Sequence, residues 1–171
     1  MSACRGCLHW ITTSQIRSCR CWPASKTDAE LVRIDKIHSG MPDLDDYELL
    51  IAQHQHSETW DGLITTDSSM LNQGPELATL IQTKLTLVVA TASGDDPVKA
   101  SGLLFAYLSG ICKRTRPGIA QVWTLSAANR PAHEPWHLLQ RFADHNNRTI
   151  EDVWGEFRLT GEQLANDPLA N

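Results

Sequence analysis

Three groups of carboxylates in this sequence have the chemistry to bind a hard cation or accept a phosphoryl group. They are Asp45, Asp46 and Glu48 in "DLDDYELL", Asp67 in "LITTDSS", and Asp95 with Asp96 in "SGDDP". Carboxylates that converge on one place repel each other, and a divalent cation with oxygen ligands relieves that repulsion. Mg2+ or Mn2+ held this way activates water and clamps a phosphodiester. Each acid also has a simpler role available. An aspartate after a strand serves as a turn residue, Asp45, Asp46 and Glu48 complement the positive end of a helix, and Asp95 or Asp96 before Pro97 makes an N-cap. Their shared placement favours the chemical reading over these separate ones.

That placement depends on the elements around them. "ELVRIDKIH" from Glu30 predicts a short strand, and Gly40, Pro42 and Asp43 predict a turn. Leu44, Tyr47, Leu50 and Ile51 have helical spacing, so a helix is expected from about Asp45 to His56. Trp60 to Thr66 reads as a short buried strand, and "GPELATLIQTK" as a helix opened by Pro75. The continuous apolar run "LTLVVATA" suits a central parallel strand covered on both faces. A helix in "DPVKASGLLFAYLSGIC", a strand in "AQVWTLSA" that suits a sheet edge, and helices in "EPWHLLQRFADHN" and "TIEDVWGEF" complete the reading. Alternating strands and helices predict a three-layer α/β/α fold with a mainly parallel central sheet. In such a sheet ligands gather beyond the carboxyl ends of the strands, which is where Asp67 and the acids of "SGDDP" fall. Asp61 precedes its strand and belongs to the other end.

The chain divides into an atypical arm over residues 1–29, an α/β core over 30–130 and a helical extension over 131–171. With 171 residues, one core is expected. A hydrophobic fraction of 42% and a charged fraction of 20% are ordinary for a globular protein, and the net charge of −5 excludes a broad basic face for nucleic acid. A confined groove lined by a few cations is compatible with that charge. No segment has the apolar length of a membrane span or the apolar core of a signal peptide, so a cytoplasmic protein without a membrane partner is expected. Cys4 and Cys7 have zinc-knuckle spacing, but Cys19 and Cys21 are one residue too close for a second knuckle. His54 with His56, and His133 with His137 across Pro135, do not present paired ligands on one helical face. Ser68 and Ser69 have no neighbouring base signature, and no Walker loop, nucleophile elbow or dinucleotide fingerprint occurs.

Taken together, "DLDDYELLIAQHQHSETWDGLITTDSSML" resembles the PIN-like domains, a compact α/β nuclease fold that includes the VapC-type ribonuclease toxins. The resemblance lies in an acidic helix start, an apolar strand and a T-T-D element before a short loop, and spans about Leu31 to Leu125. It implies a divalent-metal-dependent ribonuclease, or a degenerate relative, with an RNA substrate, an antitoxin protein as partner and homodimers as one assembly. Carried over, the catalytic acids are Asp46, Asp67 and Asp95, and the Mg2+ or Mn2+ ligands come from Asp45, Asp46, Glu48, Asp67 and Asp96. Lys113, Arg114 and Arg116 are then the cations expected to steer an RNA backbone. PIN-like domains begin with an apolar strand ending in aspartate, and residues 1–29 show no such strand; Asp28 and Asp35 are poor substitutes.

Asp67 followed by "LVVATASGDD" and "KRTRP" also looks like a response-regulator receiver, with Asp67 as phosphoacceptor. Its acidic pair is misplaced for that family, because Asp45 and Asp46 lie only one helix upstream, and Lys113 does not directly precede Pro117. A non-catalytic interaction protein, with Trp123, Trp136 and Trp154 in a core or a dimer surface, is the third reading.

Overall fold

The computed structural model describes residues 8–12 as backbone, and residues 29–91, 93, 96–126 and 133–170 in full. Five parallel strands form one sheet: β1 (Leu8–Thr12), β2 (Ala29–Arg33), β3 (Gly62–Thr65), β4 (Thr86–Val89) and β5 (Gln121–Thr124). Their order is β2-β1-β3-β4-β5, one of the two common orders of doubly wound parallel sheets. β5 is an edge strand, as its alternating pattern suggested.

Two expectations near the N-terminus need correction. Residues 1–29 do not all stand apart from the core, because Leu8–Thr12 pairs with β2 on one side and β3 on the other. Five residues are too short to show a period of their own, and this strand is defined by its two neighbours in the sheet. The strand read through "ELVRIDKIH" ends early, at Arg33, where the one-turn helix α1 (Ile34–Ile37) begins. Imperfect alternation at Arg33-Ile34 marks that change. The cysteines at 4, 7, 19 and 21 lie outside the described residues.

Six further helices follow: α2 (Asp46–Gln55), α3 (Gly74–Thr83), α4 (Pro97–Arg114), α5 (Pro135–His145), α6 (Ile150–Phe157) and the short α7 (Gly161–Ala165). Strand residues alternate between two apolar clusters. Leu63, Leu87, Val89 and Val122 pack with Leu50 of α2, Leu77 and Leu80 of α3, Leu139 of α5 and Val153 of α6. Ile64, Val88 and Trp123 pack on the other face with Leu104, Leu108 and Ile111 of α4. Both faces are thus covered, which explains why β3 and β4 are buried at every position. The helical extension after residue 131 is folded onto this core through α5 and α6. Among the described residues no helix is long and apolar enough to cross a membrane.

This topology has one consequence for the acids. Each helix that follows a parallel strand starts near that strand's carboxyl end and runs back, so the N-termini of α2, α3 and α4 share one edge of the sheet. Their C-termini share the opposite edge.

Candidate functional site at the carboxyl edge of the sheet

Asp67 stands two residues beyond β3. Its N–H donates to Thr65 Oγ1 at 3.0 Å, and its Oδ1 accepts the Ser69 N–H at 2.8 Å, which closes a turn around the carboxylate. The side chain is exposed at this edge. Asp46, the first residue of α2, is half-buried. Burial pushes its carboxyl above the usual range, and the charges of Asp67 and Asp45 push it further. Asp46 and Asp67 therefore occupy one electrostatic neighbourhood.

A further member of the neighbourhood is not distinguished by the sequence. Glu76 is the third residue of α3, and only 6% of it is exposed. Its Oε2 is buried and has no hydrogen-bond partner among the described residues. Burial raises its pKa most; a bond from its own backbone N–H lowers it, and Asp46, Asp45 and Asp67 raise it. The sequence signal was present as Pro75-Glu76 at a helix start, but it is indistinguishable there from an ordinary dipole-complementing acid. Tyr47 borders the same group, its phenol pushed up by burial and by Glu48, Asp45 and Glu76.

The other candidates are placed differently. Asp45 and Glu48 form the capping box of α2, with Glu48 Oε2 accepting the Asp45 N–H at 3.2 Å. Asp45 remains part of the charge neighbourhood, whereas Glu48 is turned to the backbone. Asp96 is the N-cap of α4, its Oδ1 accepting the Val98 and Lys99 N–H groups at 2.9 and 3.2 Å. It does not figure among the charges acting on Asp46 or Glu76. Asp95 lies outside the described residues. Asp61 is at the amino end of β3, where its carbonyl accepts the Thr86 N–H at 3.0 Å.

The cations expected to steer RNA need correction. Lys113 and Arg114 close the last turn of α4, whose 18 residues span about 27 Å back from the carboxyl edge. Arg114 instead lies 4.6 Å over the Trp123 ring. Arg116 lines a cavity with His54, Lys84 and Gly118 at the far edge. The spacing "KRTRP" could not reveal that a whole helix separates these residues from Asp67.

Oxygen donors of this kind suit Mg2+ or Mn2+, and the orphaned Oε2 of Glu76 is the type of atom such an ion would satisfy. The side chains as placed do not close on one point: among the described residues no three His, Cys, Asp or Glu groups are arranged to hold a metal ion. Beside Asp67 a cavity of about 360 Å³ is lined by Ser68, Thr91, Thr124, Ser126, His133 and Arg141, with Leu71, Asn72 and Leu138 completing its walls. Against known protein families, curated proteins and solved structures, the chain has no match.

Proposed function

We propose that this chain is a divalent-cation-dependent ribonuclease of the PIN-like type, with Asp46, Asp67 and Glu76 as the acids that would close on Mg2+ or Mn2+ when it binds. The observation that carries this reading is Glu76, a carboxylate buried without a partner for Oε2 among the described residues and set against the charges of Asp46, Asp45 and Asp67. Burying a charged group in that company is costly unless something of opposite charge compensates it. The bound ion would supply positive charge for the phosphate and lower the pKa of a water. Asp67, exposed at the edge and held by its turn, faces incoming substrate; Asp46 and Glu76 sit deeper and anchor the site.

Magnesium-dependent cleavage of single-stranded RNA by the full chain tests the proposal. Cleavage should stop on chelation, and Asp67→Asn should reduce it at least about tenfold, equivalent to roughly 1.4 kcal/mol, without lowering the melting temperature. Equal cleavage by the variant removes Asp67 from the site.

One observation favours a second reading. The strand order β2-β1-β3-β4-β5 is that of receiver domains, and Asp67 lies two residues beyond β3. Against it, Lys113 is at the wrong end of α4. Incubation with acetyl phosphate separates the two: a phosphorylated Asp67, detected by intact mass and absent in Asp67→Asn, supports the receiver.

A further inference from the structure

We propose that the groove beside Asp67 is a phosphate-binding subsite in which Arg141 holds a phosphate of the substrate backbone. This rests on the ribonuclease reading for its substrate, but its binding chemistry stands on the groove alone.

Arg141 lies on α5, beyond the stretch that resembles a nuclease. It lines the groove together with Ser68, the residue after Asp67, with Thr124 at the end of β5, and with Thr91 and Ser126 just beyond β4 and β5. The strands are in register here, with the Ala90 N–H donating to Thr65 O at 2.9 Å and the Leu125 N–H to Val89 O at 2.7 Å. The hydroxyls therefore share one edge of the sheet. Among the described residues Arg141 is the one lysine or arginine that lines the groove, and no ion pair holds it.

The chemistry of this lining is selective. A guanidinium offers a planar fork of N–H donors that matches two phosphate oxygens, and the Ser68 and Thr124 hydroxyls can add single donors, whereas the Thr91 hydroxyl donates to the Leu125 carbonyl at 3.3 Å. At about 360 Å³ the cavity is near the lower end of ordinary ligand sites, large enough for a nucleotide unit. Charge makes the same point. An anionic chain approaching Asp46, Asp67 and Glu76 meets repulsion, and the cations at the end of α4 are too distant to offset it. Arg141 is the described cation that lines the groove beginning at Ser68, next to Asp67.

The test is binding of a short fluorescent single-stranded RNA by the full-length Asp67→Asn chain, measured by anisotropy across a salt series with inorganic phosphate as a second probe. Arg141→Gln in that background should weaken RNA binding at least about tenfold and reduce the slope of log affinity against log salt by about 0.7. Arg141→Lys should restore part of the affinity, since it keeps the charge but not the fork. An unchanged melting temperature shows that α5 remains docked. If inorganic phosphate binds and RNA does not, with loss in Arg141→Gln, the subsite stands and its ligand is a free phosphoryl group. Equal RNA affinity and slope in Arg141→Gln, or no binding of either probe, overturns the proposal. Binding through Arg141 by a wild-type chain that never cleaves RNA refutes the nuclease reading and leaves the subsite. Cleavage with an unchanged KM in an Arg141→Gln chain that retains Asp67 does the reverse.

Discussion

At the carboxyl edge of the sheet, Asp45, Asp46, Glu76 and Asp96 stand at the starts of α2, α3 and α4; at the opposite edge Lys84, Lys113 and Arg114 stand at the ends of α3 and α4. Both patterns follow from helix electrostatics, since acids are favoured near N-termini and cations near C-termini. The charge at either edge is therefore no sign of function by itself. What separates the edges is how each treats a buried polar side chain. Glu76 is ionisable, lacks a partner for Oε2 among the described residues and feels the charges of Asp46, Asp45 and Asp67. Gln53, on the far side, is neutral, with both amide atoms unpartnered among the described residues, and borders a cavity of about 330 Å³ lined also by Lys84 and Arg116. A neutral amide costs a hydrogen bond or two, whereas a carboxylate among carboxylates must take up a proton or gain a counter-charge.

The largest expected effect concerns how Glu76 is positioned. A Cβ at Gly74 would collide with the ring of Phe157 and come within 3.1 Å of Phe142. These rings pack on the first turn of α3, in edge contact at a 6.0 Å centroid separation. Gly74→Ala should cost about 1–3 kcal/mol in chemical denaturation by overpacking. A loss below about 0.5 kcal/mol would mean that the rings yield and α3 is not seated by them.

Gln53→Leu is the matching change at the other edge. Removing an amide with no partner should leave stability unchanged or raise it by about 1 kcal/mol. A clear loss of stability would show that the amide is satisfied after all and that the two edges are alike.

Loss of Asp96 tests the capping role that divides it from the acidic group. Asp96→Ala should cost about 1 kcal/mol through the lost bonds to Val98 and Lys99, with Mg2+ binding unchanged in calorimetry. Weaker Mg2+ binding would return Asp96 to the site.

The most modest effect is a pH dependence. The folded pKa of Glu76 is raised above 4.5 and that of Asp46 above 3.8. Between those values and the raised ones the folded chain binds more protons than the unfolded chain, so stability contributed by these groups falls as pH rises through the window. Without divalent cations, Glu76→Gln should raise the melting temperature at pH 7 and flatten its decline above pH 4.5. An identical pH profile in the variant would separate Glu76 from the repulsion. In the wild type, added Mg2+ should oppose the decline, because an ion that binds only the folded state stabilises it.

Much of this was legible in the primary structure. The helix at Asp46–Gln55 begins where acidic residues crowd before a 3.6-residue apolar pattern, and "LTLVVATA" contains β4 because only a doubly covered strand tolerates such a run. Asp61 and Asp67 could be assigned to opposite ends of β3 from chain direction alone. β1 was not legible, since its five residues become a strand by pairing with β2 and β3. Glu76 was hidden because burial, not residue type, distinguishes it from any acid at a helix start.

The amino-acid sequence by itself determined the alternation of strand and helix, the edge at which Asp67 emerges and the acidic start of α2, because these depend on local period, caps and chain direction. Tertiary structure alone decided that Glu76 joins Asp46 and Asp67, that Lys113 and Arg114 lie a helix-length away, and that Arg141 arrives from α5 to line the groove beside Asp67. Such convergence is set by the order of strands and the docking of helices on the sheet, and burial and charge coupling exist only once those are in place.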